Sequence, residues 1–300
     1  MAELEVTFPV SKEELSILRA DLASEFPDDY TTLSDDYILS VASKPYSKDP
    51  TVRRPVEYSS TKLKELLNWR AGNAIPLLEI MALAKGKESD PAAVEQPDKY
   101  TKAKALATSL NYGCMYWHGL DKRGRPVLWI RTNRMPWFPD VEAQVNALII
   151  LADAAIKEMP LGITDFVVLS DSSSPPPPNP QFMINLLSAL VKGYPDRLNL
   201  LVSCPVGTII QTVVNLLLPL MPSRLSSKIV LIAMQDAQRK IGDILMNGTD
   251  DIPTFLGGVC DHDKIYPTSG TFPDRVLKFD YDGMIDRLQA DITKFQKSKK

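Results

Sequence analysis

Histidine is the side chain best suited to moving protons near neutral pH, and this chain has two, His118 and His262. His118 stands three residues before Asp121, a spacing at which an imidazole and a carboxylate could share a proton. No nucleophile accompanies them. Ser170-Asp-Ser172 lacks the Gly-x-Ser-x-Gly elbow that presents a hydrolase serine, so His118 reads as a packing residue at a turn. Gly257-Gly258 could cradle a phosphate, yet no helix opens after the pair, and a backbone turn is expected instead. Cys114, Cys204 and Cys260 are odd in number and far apart in sequence. They suit buried thiols in a reducing compartment better than a disulfide framework, and with only two histidines no metal centre is expected. Nor does any motif call for a cofactor. The chemistry expected here is binding, not catalysis.

The stretch that could carry it runs from Pro205 to Pro222. Ile209, Ile210, Val213, Val214, Leu216, Leu217, Leu218, Leu220 and Met221 cover most of a helix, and Thr208, Gln211, Thr212 and Asn215 form one narrow polar stripe. Such a helix must be covered on both sides, by a core or by lipid. It is too short to span a bilayer, which takes about 20 apolar residues.

The elements around it set the fold class. With 44% hydrophobic and 24% charged residues, the 300-residue chain reads as a globular protein with ample core. A net charge of -3 argues against nucleic acid as a partner, and the first residues lack a signal-peptide layout, so a cytoplasmic monomer is expected. Residues 1–105 read as a small helical domain. Ser11 caps a helix through Leu22, Ser34 caps a second, and Lys44 to Pro55 is a loop. Ser59 or Ser60 caps a third, and another covers Ile75 to Ala84. From residue 106 to 268 strands alternate with helices. Strands are expected at 114–118, 127–131, 166–169, 198–202 and 228–233, with helices at 141–157, after Asn179-Pro180, over the apolar stretch and at 235–245. Near-continuous apolar strands between helices indicate an α/β fold with a mostly parallel sheet. Residues 269–300 form an extension with a helix from Tyr281 to Phe295.

Four motifs fall in register. These are His118-Gly-Leu-Asp-Lys-Arg-Gly-Arg-Pro-Val127, Tyr194-Pro-Asp-Arg-Leu198 leading to a strand and the apolar helix, Ser227-Lys-Ile-Val-Leu-Ile232, and Ile252-Pro-Thr-Phe-Leu-Gly-Gly258. Together they resemble the CRAL-TRIO lipid-transfer family, of the phosphatidylinositol-transfer type, over roughly residues 110 to 267. The resemblance implies a sheet forming the floor of an apolar pocket, with Ile209, Ile210, Val213, Val214 and Leu217 on a mobile gate helix. The floor would be lined by the strands at 127–130, 166–169, 198–202 and 229–232, with Leu128, Phe166 and Val168 among the lining residues.

The resemblance also implies a headgroup site with Lys228, Asp196 and the aromatic Trp117. Asp196 is one methylene shorter than the family's usual glutamate, Leu225 replaces a threonine, and an arginine expected from the N-terminal helices is missing, with Lys44 the nearest cation. Phosphatidylinositol is the leading ligand, and a sterol or fatty acid would also suit the apolar lining. Choline recognition is disfavoured, because Leu128, Phe166 and Val168 replace hydroxyl-bearing residues. Transient contact with membranes is implied as well. The alternative is a protein-interaction scaffold, for example for a small GTPase, with a vestigial pocket.

Overall fold

The computed structural model describes residues 7–88, 91–220 and 223–299, and within these the side chains of Ala92, Val213, Leu217, Leu220 and Ser223 lie outside the described set. Helix α1 (Lys12–Glu25) opens on a full capping box, in which Ser11 Oγ accepts from the Glu14 amide and the Glu14 carboxylate accepts from the Ser11 amide. Ser34 likewise caps α2 (Asp35–Ala42). Between Lys44 and Pro55 the chain forms a hairpin, β1 (Pro45–Tyr46) and β2 (Asp49–Arg53), where the prolines had suggested a loop. The prolines fit because this is a free two-stranded ribbon with open edges.

Pro55 precedes α3 (Val56–Asn73), so the helix starts a turn before the expected serine caps. Ser59 and Ser60 sit inside it instead. Ser59 Oγ donates back to the Pro55 carbonyl, and Ser60 Oγ donates to Asp21 on α1. Helix α4 (Ile75–Ala84) follows, then the short α5 (Ala92–Glu95) and α6 (Pro97–Asn111). Two apolar cores result. Leu18, Leu22, Ile38, Val41, Leu63 and Leu67 form a small one among α1–α3. Residues from Ala74 onward, α4 and α6 included, join the large core around the sheet.

The sheet has five strands in the order β3 (Met115–Leu120), β4 (Pro126–Arg131), β5 (Phe166–Asp171), β6 (Leu198–Cys204) and β7 (Ile229–Leu231). Only β3 and β4 are antiparallel. Their turn is held by Asp121, whose Oδ1 accepts from the Arg123 and Arg125 amides, both at 2.8 Å. Helix α7 (Val141–Glu158) links β4 to β5, α8 (Pro180–Ser188) links β5 to β6, and α9 (Thr208–Leu217) with α10 (Ser223–Ser226) links β6 to β7. Parallel crossovers are right-handed, and the strand order never reverses, so α7, α8 and α9 all lie on one face. The other face is covered by later chain: α11 (Ala237–Gly242), the Ile252–Gly258 turn, α12 (His262–Ile265) and α13 (Tyr281–Ser298). Tyr116 and Trp129 of the sheet meet His262 there, and α13 packs along β3.

Strand β7 is shorter than the expected 228–233, because it is an edge strand paired with β6 alone. The apolar stretch is also divided. α9 ends at Leu217 and a tighter 3₁₀ turn covers Leu218–Leu220. The final 269–300 segment is not a detached tail, since Met284, Leu288, Ile292 and Phe295 of α13 are in the main core.

Gly124 shows how tightly that helix seats. Its φ is +86°, and a Cβ there would lie 2.2 Å from the Phe295 ring. Gly162 has φ +80° but open space around it. Gly162→Ala is therefore expected to cost about 1 kcal/mol for the left-handed backbone alone, and Gly124→Ala about 3 kcal/mol because ring overlap is added. Urea unfolding of the two variants checks this; equal losses would mean that α13 does not press on the turn.

Candidate functional site

Sheet register assigns every strand residue to a face. Trp117, Leu128, Val168, Leu201 and Ile229 lie side by side across five strands, and Met115, Ile130, Ser170, Ser203 and Leu231 form the next row on that face. Phe166, two residues before Val168, belongs to the same face, and it meets Trp117 edge-on at 5.5 Å. Trp117 Nε1 donates to the Leu151 carbonyl of α7 at 2.7 Å, so this is the face that carries α7, α8 and α9.

Within it, burial is uneven. Trp117, Leu128, Phe166 and Val168 are buried, whereas Ile130, Ser170, Leu201, Ile229 and Leu231 are only half-buried. Leu128, Phe166 and Val168 are thus on the expected face but packed in. The accessible floor lies further toward β7, and Ser170, which the sequence reading left out, is part of it. Ser170 Oγ is 3.1 Å from Ser172 Oγ, and Ser172 Oγ is 2.6 Å from Ser203 Oγ. One short hydroxyl chain therefore interrupts an apolar surface.

Above this floor, α9 stands apart. Among the described residues it packs extensively only against the turn that follows it, and none of them belongs to either core. Ile209 is 46% and Leu216 55% exposed, while Ile210 and Val214 are half-buried. Val213 and Leu217, also expected on the gate, have side chains outside the described residues. Among the described residues no helix is long and apolar enough to cross a membrane.

A polar cluster closes one end of the floor. Asp196 lies just before β6 and Lys228 just before β7, so both sit at the amino-terminal edge of the parallel strands, where the crossover through α9 and α10 ends. Asp196 has φ +59°, a region that Asp tolerates better than most side chains. Its carboxylate accepts from Arg54 Nη1 at 2.5 Å and Nη2 at 3.4 Å, with Arg224 Nη1 at 3.5 Å. Arg54 Nη1 also donates to the Val41 carbonyl at 2.9 Å, and Lys228 Nζ donates to the Leu198 carbonyl at 2.6 Å. These residues line a pocket of about 200 Å³ with Tyr58, Lys62 and Leu225. Its lining brings Arg54, Lys62, Arg224 and Lys228 around Asp196, and Lys62 also pairs with Glu65 at 3.1 Å.

The structure thus corrects the expectation that the N-terminal region offers only Lys44. Arg54 also lines this pocket, and its amide donates to the Lys44 carbonyl at 3.0 Å. It escaped detection because its partner is 142 residues away. Lys228 and Asp196 do share a pocket, but Trp117 does not join them. Trp117 is on β3 and Lys228 beside β7, four strand spacings or roughly 19 Å across the sheet. Trp117 belongs to the buried floor.

The acid/base reading of His118 and Asp121 also finds its answer. Asp121 pairs with Arg125 at 3.0 Å and serves the β3–β4 turn, while His118 contacts Tyr266 and Cys260. Burial lowers the pKa of both histidines, and His262, with the charges of His118 and Arg131 adding to the effect, falls to about 2. At His118 burial outweighs the opposing charge of Asp251, and among the described residues no carboxylate hydrogen-bonds either imidazole. Burial pushes the Cys114 thiol up to about 12 and the Cys204 thiol to about 11, so these two are inert as expected. Cys260 is different. It is half-buried, and it lies with His118 and His262, so sequence distance misjudged these three residues.

A larger cleft, about 870 Å³, lies between α2–α4, α7 and α13 and contains no residue of the sheet or of α9. The Arg70–Asp153 ion pair, with two contacts of 2.8 and 2.9 Å, stands in its wall.

A one-sided sheet whose floor is half-bare beneath a loosely packed apolar helix is the architecture of a domain that houses a hydrophobic ligand. Residues 110–258 match the CRAL/TRIO domain, and the chain belongs to that family. Membership places it in the general class of lipid-binding proteins. Among solved structures, the crystal structure of Sfh5 matches with 13% identity and a TM-score of 0.49, covering 84% of this chain and 94% of that one. No curated protein matches the chain.

The Arg54–Asp196 pair has both side chains about nine-tenths buried. Removing one member of such a pair strands the other charge, so Asp196→Asn is expected to lower stability by about 3 kcal/mol in urea unfolding. A loss below about 1 kcal/mol would mean that the pair behaves as a surface contact.

Proposed function

We propose that this protein binds a phospholipid with an anionic headgroup, phosphatidylinositol first among them, and carries it between membranes by transient docking of α9. The observation that carries the proposal is the cluster of Arg54, Lys62, Arg224 and Lys228 around Asp196, at the end of the half-bare floor. A phosphate diester needs charge-assisted donors, and a guanidinium is the best of them. An excess of cations favours a phosphate that carries net negative charge over the cationic choline group. The apolar residues at Leu128, Phe166 and Val168 also lack hydroxyls for choline.

The chains of the lipid would lie along Ile130, Leu201, Ile229 and Leu231, beneath α9. Each methylene withdrawn from water is worth about 0.8 kcal/mol, so a sixteen-carbon chain exposed during transfer would face a barrier on the order of 12 kcal/mol. A helix with apolar groups on both sides lowers that barrier. Ile210 and Val214 turn toward the protein, while Ile209 and Leu216 are already exposed and available to the membrane. The gate assignment belongs to this proposal, and Val213 and Leu217 are the further residues expected on it.

Two variants test it by transfer of phosphatidylinositol between vesicles. Leu216→Asp places a charge on the exposed side of α9 and is expected to reduce transfer more than tenfold with an unchanged circular dichroism spectrum. Full transfer by this folded variant would remove α9 from the mechanism. Lys228→Ala removes a charged donor worth about 1.5–3 kcal/mol. It is expected to weaken phosphatidylinositol capture about 10- to 100-fold. Capture unaffected by this change would place the headgroup elsewhere.

A further inference from the structure

The opposite face of the sheet carries a site that lipid binding does not use. His118 follows Trp117 on β3 and therefore points away from α9. Cys260 and His262 arrive there from the turn before α12 and its first residue. Cys260 Sγ lies 3.5 Å from His118 Nε2, and one ligating atom each from His118, Cys260 and His262 fall within 4.8 Å of one another.

Both rings are oriented through their other nitrogen. Tyr266 donates its hydroxyl hydrogen to the Trp117 carbonyl at 2.8 Å, so at His118 Nδ1, 3.2 Å away, its oxygen accepts. That fixes the proton of His118 on Nδ1 and leaves Nε2 a bare lone pair facing sulfur. His262 Nδ1 is 3.0 Å from the Tyr116 hydroxyl. Its Nε2 is buried and has no hydrogen-bond partner, on a residue with 0% exposure. A buried polar atom left without a partner is unfavourable, which calls for an occupant.

We propose that this is a zinc site, with Cys260 Sγ and the Nε2 atoms of His118 and His262 as ligands. Zinc bonds of about 2.3 Å to sulfur and 2.0 Å to nitrogen in a tetrahedron place S and N roughly 3.5 Å apart, the separation found between Cys260 and His118. One thiolate with two imidazoles suits zinc and excludes magnesium and calcium. Tyrosine oxygens on the remote nitrogens are the kind of outer partner that orients ligating histidines. Arg131 and Arg134 share this face, but their charge is matched by Asp171 and Asp263. On binding, the Cys260 thiol releases its proton to solvent, the thiolate sulfur bonds the metal, and water fills the fourth position. Half-buried Cys260 provides the entry path. The ion would clip the 252–266 segment to β3, bracing the back of the sheet while α9 moves in front.

The test uses the full-length protein freed of metal by a chelator and titrated with zinc chloride alone against a chromophoric indicator. One zinc per chain is expected at sub-micromolar concentration, with a rise in Tm. Cobalt(II) in its place is expected to give a thiolate-to-metal charge-transfer band. Cys260→Ser, at a half-exposed position, should keep its circular dichroism spectrum, lose that band and bind zinc at least 100-fold more weakly. Absence of stoichiometric zinc binding, or equal binding and the same cobalt band in Cys260→Ser, would overturn the assignment.

Discussion

The ion pair between Arg54 and Asp196 is the joint on which the cationic pocket beside the sheet depends. It connects the helical N-terminal region to the edge of the sheet across 142 residues of sequence. Taking both groups out of water is unfavourable, and their attraction compensates only when the remaining donors are also placed. Here the Val41 carbonyl takes a further Arg54 hydrogen and Asp196 engages Arg224 with its second oxygen, while Arg54 Nε stays buried with no hydrogen-bond partner among the described residues. The aspartate therefore gathers two arginines at the end of the floor. In the proposed function it organises the headgroup site more than it contacts a headgroup. Its shorter side chain, a departure from the family's usual glutamate, matches a role in which the arginine comes to the carboxylate.

The two faces of the sheet divide the remaining work. Because each parallel crossover is right-handed and the strand order runs one way, all three connecting elements fall on one side. That side cannot be sealed by the short α9, so a row of floor residues stays half-bare. The opposite side is closed by the long return of the chain through α12 and α13, where Tyr116, Trp129, His262 and Tyr266 pack ring against ring. One face is rigid and the other is open. A protein that must release an apolar ligand without unfolding needs both.

What was legible in the sequence was local. The Ser11–Glu14 capping box, the Ser34 cap, the Asn179-Pro180 helix start and the Asp121–Gly124 turn each depend on side chains within a few residues, and each formed as read. The apolar strands were legible because most residues of β3, β4, β5 and β6 are buried on either face, β7 and the floor beside it being the exception. What failed was long-range. Arg54 was passed over within a stretch of prolines taken for a loop, and the meeting of His118 with Cys260 and His262 needs the chain to travel round the sheet. Trp117 was placed by family position, while strand order put it at the far edge from Lys228. Periodicity reports which face a residue occupies; it does not report which of its neighbours leave it bare, and so Ser170, one residue beyond the expected 166–169 strand, emerged only from the packed structure.

The central claim is that the half-bare floor and its cationic end together hold one anionic phospholipid. Mass spectrometry of an organic extract of the purified protein, repeated after incubation with vesicles of mixed lipids, tests it most directly. The account expects phosphatidylinositol at close to one molecule per chain, selected over phosphatidylcholine present in excess. A sterol, a fatty acid or another neutral ligand in its place would contradict the headgroup assignment. An empty protein after incubation would contradict the lipid-carrier account as a whole and favour a scaffold with a vestigial pocket.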